Sequence, residues 1–121
     1  MIINSYQDLK VWQVSMDLVE QVYLLTQSFP KQEVYGLTSQ VQRAAVSVPS
    51  NIAEGHARDS TKEFLHHLSI TLGSLAELET QLILTERLTY LERKDLDVLL
   101  LKTNETDRML RGLQKALKAK L

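Results

Sequence analysis

The chain has 121 residues, of which 44% are hydrophobic and 24% charged, and its 4 Gly and 2 Pro leave few places for turns; this composition indicates one globular domain built from a few long elements. The absence of cysteine excludes disulfide bonds, thiolate metal sites and a cysteine nucleophile, and the net charge of −1 argues against a surface that is basic throughout. No signal peptide and no stretch approaching the roughly 18 apolar residues of a membrane span are found, which predicts a cytoplasmic protein.

The first predicted helix covers about residues 7–28. Ser5 followed by Asp8 is a helix-start pattern, and Pro30 ends the helix because a proline pushes the residue before it out of the helical region. Two apolar seams run along this helix, whereas one seam is enough for the core of a single chain. The surplus seam predicts contact with a partner. The seams are Leu9, Trp12, Met16, Val19 and Tyr23, and Val11, Ser15, Leu18, Val22 and Leu25.

The second predicted helix covers about residues 32–54, and Gly55 is predicted to end it with a positive φ. Beside its apolar seam runs a stripe of hydrogen-bonding side chains. In one interpretation this polar stripe faces water. In the other, it faces Glu77 or Glu79 of the third helix, or a neighbouring subunit, and the paired polar groups fix the register. The polar stripe consists of Gln40, Arg43, Ser47, Asn51 and Glu54.

Ser60-Thr61-Lys62-Glu63 is a capping box before an apolar run, and it begins the third predicted helix, about residues 61–87. Gly73, in the middle of this helix, costs about 1 kcal/mol of helix propensity. A close approach of another backbone at Gly73 is therefore predicted. Gly73 and Glu77 join the polar stripe as a predicted polar network or subunit interface.

The fourth predicted helix covers about residues 92–118. Four helices of about 20–27 residues joined by short loops predict an all-α fold, a single antiparallel up-down-up-down four-helix bundle.

Charge is uneven along the chain. Residues 1–107 hold nine Lys and Arg against 15 Asp and Glu, whereas residues 108–121 hold five basic residues and no acid.

Four of these cations, Arg108, Arg111, Lys115 and Lys118, recur at helical spacing on one face of the fourth helix. In one interpretation they have no binding role and only stabilise the helix, because the helix dipole favours cations near a helix C-terminus. In the other, they form a stripe that contacts the phosphates of RNA or DNA. No aromatic residues lie between them, so stacking on bases is not supported.

A di-iron carboxylate centre is the first catalytic candidate, because Glu63 and His66 have the Glu-x-x-His spacing of ferritin-like bundles. That centre needs a second such motif, and the chain has none. His66 and His67 are adjacent, so their side chains point about 100° apart on a helix and cannot chelate together. His56 falls in a predicted loop, where it is expected to be solvated. We therefore predict no catalytic residue, metal, cofactor or small-molecule substrate.

Five segments within about residues 5–91 are more specific than this helical pattern: residues 6–12 (YQDLKVW), 28–30 (SFP), 35–40 (YGLTSQ), 43–55 (RAAVSVPSNIAEG) and 72–81 (LGSLAELETQ). Together they resemble the bacterial four-helix bundle proteins encoded in 23S rRNA intervening sequences. The resemblance implies a homopentamer of bundles with no established molecular function. A related branch, the accessory protein of diversity-generating retroelements, works with a reverse transcriptase and nucleic acid through a strongly basic surface, from which this chain departs.

The hypothesis from the sequence is therefore a non-enzymatic homo-oligomer, a pentamer, that acts as a scaffold or binding module. The alternative is an RNA- or DNA-binding accessory protein that uses the cations of the fourth helix.

Overall fold

The computed structural model describes residues 5–121, and within them four long helices form the protein. In chain order they are α1 (Lys10–Thr26), α2 (Leu37–Ala57), α3 (Thr61–Arg87) and α4 (Arg93–Lys118). Each helix packs against its neighbours in sequence, and α1 also packs against α4, while the diagonal pairs of the described helices do not approach one another. The predicted fold, an all-α antiparallel up-down-up-down four-helix bundle, is confirmed. None of the described helices combines the length and apolarity needed to cross a bilayer.

The predicted starts of α1 and α2 differ from the structure. Ser5 and Asp8 form a complete capping box, but it caps a short 3-10 helix, Tyr6–Asp8. Leu9 then adopts an extended backbone with ψ 123°, so α1 begins only at Lys10. A second 3-10 turn, Lys31–Glu33, occupies the predicted start of the second helix, and α2 begins at Leu37.

A single core lies between the four helices. In α1 four of the six buried residues belong to the Val11 seam and none to the Trp12 seam, so the Val11 seam is the intramolecular one. In α4, Thr103 and Thr106 are buried among leucines, and their hydroxyls are satisfied by hydrogen bonds. The largest fully buried aliphatic side chains are Leu18, Val22, Val41, Val48, Ile52, Leu68, Leu75, Leu78, Leu82, Leu99 and Leu110.

Gly55 does not end the second helix, and this prediction is wrong. α2 continues through Gly55 to Ala57, Gly55 does not have a positive φ, and Asp59 adopts the left-handed conformation with φ 55°. Gly55 is buried where α2 meets α3. A Cβ on Gly55 would lie 2.5 Å from His67 Cβ and 3.1 Å from Phe64 Cδ1, so the glycine permits the close packing of the two helices.

Gly73 has a different environment from Gly55. It is exposed on α3, and a Cβ added to it would meet no atom of another helix within 4 Å. The close approach predicted at Gly73 is therefore absent within the chain. A contact with a neighbouring subunit stays a prediction.

Glu33 ties together the two connections at one end of the bundle. Its Oε1 accepts a hydrogen bond from the backbone N–H of Leu37 at 3.3 Å, and its Oε2 accepts one from the Tyr90 hydroxyl at 3.0 Å. The hydrogen bond to Glu33 raises the pKa of Tyr90 above its ordinary value of 10.0, and desolvation and the negative charge of Glu33 act in the same direction. The α1–α2 connection is thereby held against the turn between α3 and α4.

Candidate interaction surfaces

The Trp12 seam of α1 lies at the surface of the bundle. Trp12 and Val19 are half-buried, while Met16 and Tyr23 are exposed. Tyr6 contacts Trp12, with the ring centroids 5.4 Å apart in an edge-on arrangement. The chain therefore leaves part of its second apolar seam uncovered.

This seam forms one wall of a shallow groove of about 320 Å³, and α2 forms the other wall. We call it the α1–α2 groove. No charged residue lines it, and an apolar surface that contains Trp and Tyr and lacks charge is the composition found at the centre of subunit interfaces. The groove is lined by Tyr6, Trp12, Met16, Val19, Val46, Pro49, Ser50 and Ala53.

The inner members of the predicted polar stripe connect α2 to α3. Asn51 donates through Nδ2 to the carbonyl oxygen of Ser47 at 2.9 Å, and its Oδ1 lies 3.3 Å from Nδ1 of His67. Because the amide of Asn51 donates through Nδ2, its Oδ1 accepts, and the proton therefore sits on Nδ1 of His67. Gln40 Oε1 accepts from Gln81 Nε2 at 3.5 Å. These contacts link α2 to α3, and a role in fixing the register stays a prediction.

His67 is the member of this network that the sequence analysis missed. In the sequence, the adjacent positions of His66 and His67 suggested only a test for joint metal binding. The spacing between His67 and Gln81 could have identified it. His67 precedes Gln81 by two heptads, so both residues lie on the side of α3 that contacts α2.

The outer members of the polar stripe point to solvent. Glu54 pairs with Arg58 at 3.6 Å in an exposed ion pair, which contributes little to stability. Arg43 and Glu77 are exposed, and neither side chain has a hydrogen bond or ion pair within residues 5–121. Glu79 instead accepts a hydrogen bond from Thr103 at 3.1 Å. Within the chain Arg43 thus pairs with neither glutamate, and pairing across subunits stays a prediction.

The histidine candidates form no catalytic arrangement. Glu63 and His66 are exposed, and within the described residues no group of three His, Asp or Glu side chains is placed to hold a metal ion. The predicted solvated loop around His56 is wrong, because His56 lies in the last turn of α2. It is half-buried, with its ring edge-on to Phe64 at 5.7 Å.

The four predicted cations of α4 are all exposed. Arg111 pairs with Asp107 at 3.1 Å, and the other three have no ion-pair partner in the described part of the chain. The hydrogen bond between Thr103 and Glu79 identifies the sides of α4 and α3 that face each other.

Lys62 extends this set of cations across to α3. It is exposed near the start of α3. Its neighbour Thr61 lines the same hollow as Lys120, so Lys62 lies level with the end of α4. The sequence analysis missed Lys62 because it treated each helix separately. We call Lys62, Arg108, Arg111, Lys115 and Lys118 the basic face.

Comparison with known proteins identifies the family. Residues 7–112 match the model of the 23S rRNA-intervening sequence protein family. The chain belongs to this family. The identification from the five sequence segments is therefore confirmed. No curated protein matches the sequence.

A solved structure gives independent support for the fold. It is of a Bacteroides thetaiotaomicron protein described as having unknown function and as coming from the S23 ribosomal protein family. The two chains are 24% identical, with a TM-score of 0.77 over 85% of this chain and 96% of the other. The family match itself ends at residue 112, so Lys115 and Lys118 lie outside the matched part.

Proposed function

We propose that this family member is a non-enzymatic homo-oligomer of four-helix bundles that acts in the cytoplasm as a scaffold or binding module, with five subunits as the family resemblance implies. The α1–α2 groove carries the proposal. It combines Trp12 and Tyr6 with aliphatic side chains, carries no charge, and is left open by the chain's own core. Burying such a surface against another copy removes apolar area from water, which is the main favourable term in association.

Two unpaired charges support a contact between unlike faces of neighbouring copies. Arg43 lies one turn from Val46 at the α1–α2 groove, whereas Glu77 lies one turn from Gly73 on α3. Because the two charges are opposite and lie on different helices, they suit a contact in which the groove of one subunit receives α3 of the next. Contacts between unlike faces close into a ring when the rotation between subunits permits it.

The mass of the purified chain in solution tests this proposal. At about 10 µM, size-exclusion chromatography with light scattering should give five chain masses, since open apolar grooves of this kind are buried in stable complexes. A single chain mass at this concentration would overturn the proposal. A closed oligomer with another number of subunits would support the proposed homo-oligomeric scaffold but contradict the proposed number of five subunits.

A second candidate function is binding of RNA or DNA through the basic face. The observation that favours it is the position of Lys62, which lies level with the end of α4 and adds a cation from α3 to the four of α4. A repeated basic face in a ring would increase affinity for one nucleic-acid strand through multivalency. Contacts would be made to the phosphate backbone, with little sequence preference.

Charge removal from α4 tests the nucleic-acid candidate. We expect the quadruple change Arg108→Gln, Arg111→Gln, Lys115→Gln and Lys118→Gln to weaken binding of structured RNA and to reduce the slope of log affinity against log salt by up to about 3 per chain. Filter binding between about 50 and 200 mM salt measures both quantities.

A matched control neutralises four exposed cations at the opposite end of the bundle, Lys31, Arg87, Arg93 and Lys94. It removes the same charge and should leave the slope nearly unchanged. Equal losses in the two variants would assign the effect to net charge and not to the basic face, and affinity that does not depend on salt would exclude this candidate.

A further inference from the structure

A second apolar surface lies between α1 and α4, on the side of α1 away from the α1–α2 groove. Leu24, Val98 and Leu101 are 65%, 49% and 71% exposed. A hollow of about 190 Å³ between the two helices is lined by Gln21, Leu24, Leu25, Asp95 and Val98. Such a concentration of exposed aliphatic side chains on two adjacent helices is unusual for an isolated bundle and marks a binding surface.

Carboxylates border this surface, and they lack partners. Asp17, Glu20, Asp95 and Glu105 recur at helical spacing beside the apolar side chains, and none of them forms a side-chain hydrogen bond or ion pair in the part of the chain that the structure describes. The cation among them is the half-buried Lys102. We call this surface the acidic groove.

The opposite flank of α4 shows that this pattern is local. There Asp97 pairs with Arg93 at 3.0 Å and Asp107 pairs with Arg111 at 3.1 Å. Acidic residues of one helix are thus neutralised on the side facing α3 and left unpaired on the side facing α1. The acidic groove therefore combines uncovered apolar area with uncompensated negative charge.

We propose that the acidic groove binds a basic amphipathic helix of a partner protein. An apolar stripe on that helix would cover Leu24, Val98 and Leu101, while Lys or Arg on its flanks would pair with the carboxylates. From Asp95 to Glu105 the groove spans ten residues, or roughly 15 Å, which matches about three turns of a bound helix.

A second copy of the chain is a poor occupant of this groove. Two acidic grooves placed face to face would oppose like charges. The chain's own basic segment, the end of α4, holds Leu110 and Leu117 buried in its own bundle and so cannot present its apolar side. Because the basic helix would be the partner of the proposed binding module, this inference rests on the proposed function. It concerns a different surface from the α1–α2 groove.

Fluorescence anisotropy with the full chain tests the proposal. The probe is a labelled peptide of about 15 residues with leucines at helical positions i, i+3, i+4 and i+7 and lysines elsewhere, and its twin carries glutamates in place of the lysines. We expect micromolar binding of the lysine peptide and none of the glutamate peptide. The pair Leu24→Ser and Leu101→Ser, and separately the pair Asp17→Asn and Glu105→Gln, should each weaken binding about tenfold or more.

Val34→Ser serves as the matched control, because Val34 is 53% exposed and lies outside the acidic groove. It should bind the lysine peptide like the wild type. Equal binding of the two peptides, or binding that the groove variants leave unchanged, would overturn the proposal.

The oligomeric mass separates this proposal from the previous one. If Leu24→Ser and Leu101→Ser together reduce the mass, the groove is a contact between copies and the proposed partner is wrong. A monomeric wild type that still binds the lysine peptide through the acidic groove would refute the assembly and retain this inference.

Discussion

Replacing Gly55 with alanine should lower the free energy of unfolding by about 2 kcal/mol. The added Cβ would lie 2.5 Å from His67 Cβ and 3.1 Å from Phe64 Cδ1, so α2 and α3 must move apart. Overpacking of this kind costs up to about 3 kcal/mol, and the better helix propensity of alanine returns about 1 kcal/mol of it. Denaturant unfolding followed by circular dichroism gives the difference.

Gly112→Ala is the matched control for this change. Gly112 also lies inside a long helix, but it is exposed, and a Cβ there would meet no atom of another helix within 4 Å. We expect it to raise the free energy of unfolding by up to about 1 kcal/mol. If Gly55→Ala stabilises the protein as Gly112→Ala does, then α2 and α3 are not as close at this crossing as the structure places them.

The contrast between Gly55 and Gly73 shows why the structural role of a glycine in a helix is difficult to predict from the sequence pattern. Gly55 follows a long apolar pattern and so resembles a helix terminus, whereas Gly73 interrupts one and so suggests a close approach. The structure reverses both interpretations within the chain, because the decisive contact of Gly55 is with His67, on the next helix. A pattern local to one helix does not specify which residue of another helix packs against it.

Helix boundaries show the same limit. The helical repeat of apolar residues was sufficient to predict four helices and their antiparallel order. The capping patterns were not sufficient to predict which residue begins each helix. Ser5 and Asp8 form both halves of a capping box, but this box caps a 3-10 turn, and the extended Leu9 follows before α1 begins. Ser60 accepts from the backbone of Glu63 and does begin α3. Short-range hydrogen bonds thus fix a turn but not the length of the helix that follows it.

The candidate surfaces were predictable in part, for a related reason. Asn51 and the cations of α4 followed from spacing along one helix. His67 and Lys62 escaped notice because their roles depend on which side of α3 meets α2 and on which end of α4 lies beside the start of α3. That information comes from packing between helices, and comparing the spacing of two helices at once would have supplied part of it.

Val46→Glu should convert the proposed assembly into single chains. Val46 is 40% exposed at the α1–α2 groove, and glutamate is a good helix former, so an isolated bundle should fold normally with this change. Within an assembled interface the same carboxylate would be buried without a partner, which costs several kcal/mol and occurs at every contact of a ring. Light scattering after size exclusion at about 10 µM measures the mass, and circular dichroism checks that the helices persist.

Leu101→Glu is the control that locates the subunit contact. It places the same carboxylate at a residue that is 71% exposed in the acidic groove, which we assign to a partner protein and not to another copy. The mass should therefore stay that of the assembly. If Leu101→Glu dissociates the oligomer and Val46→Glu does not, then the copies meet through α1 and α4, and the α1–α2 groove is the surface left for a partner. Because each substitution tests one side of α1, the two masses together determine which apolar surface of the first helix holds the subunits together.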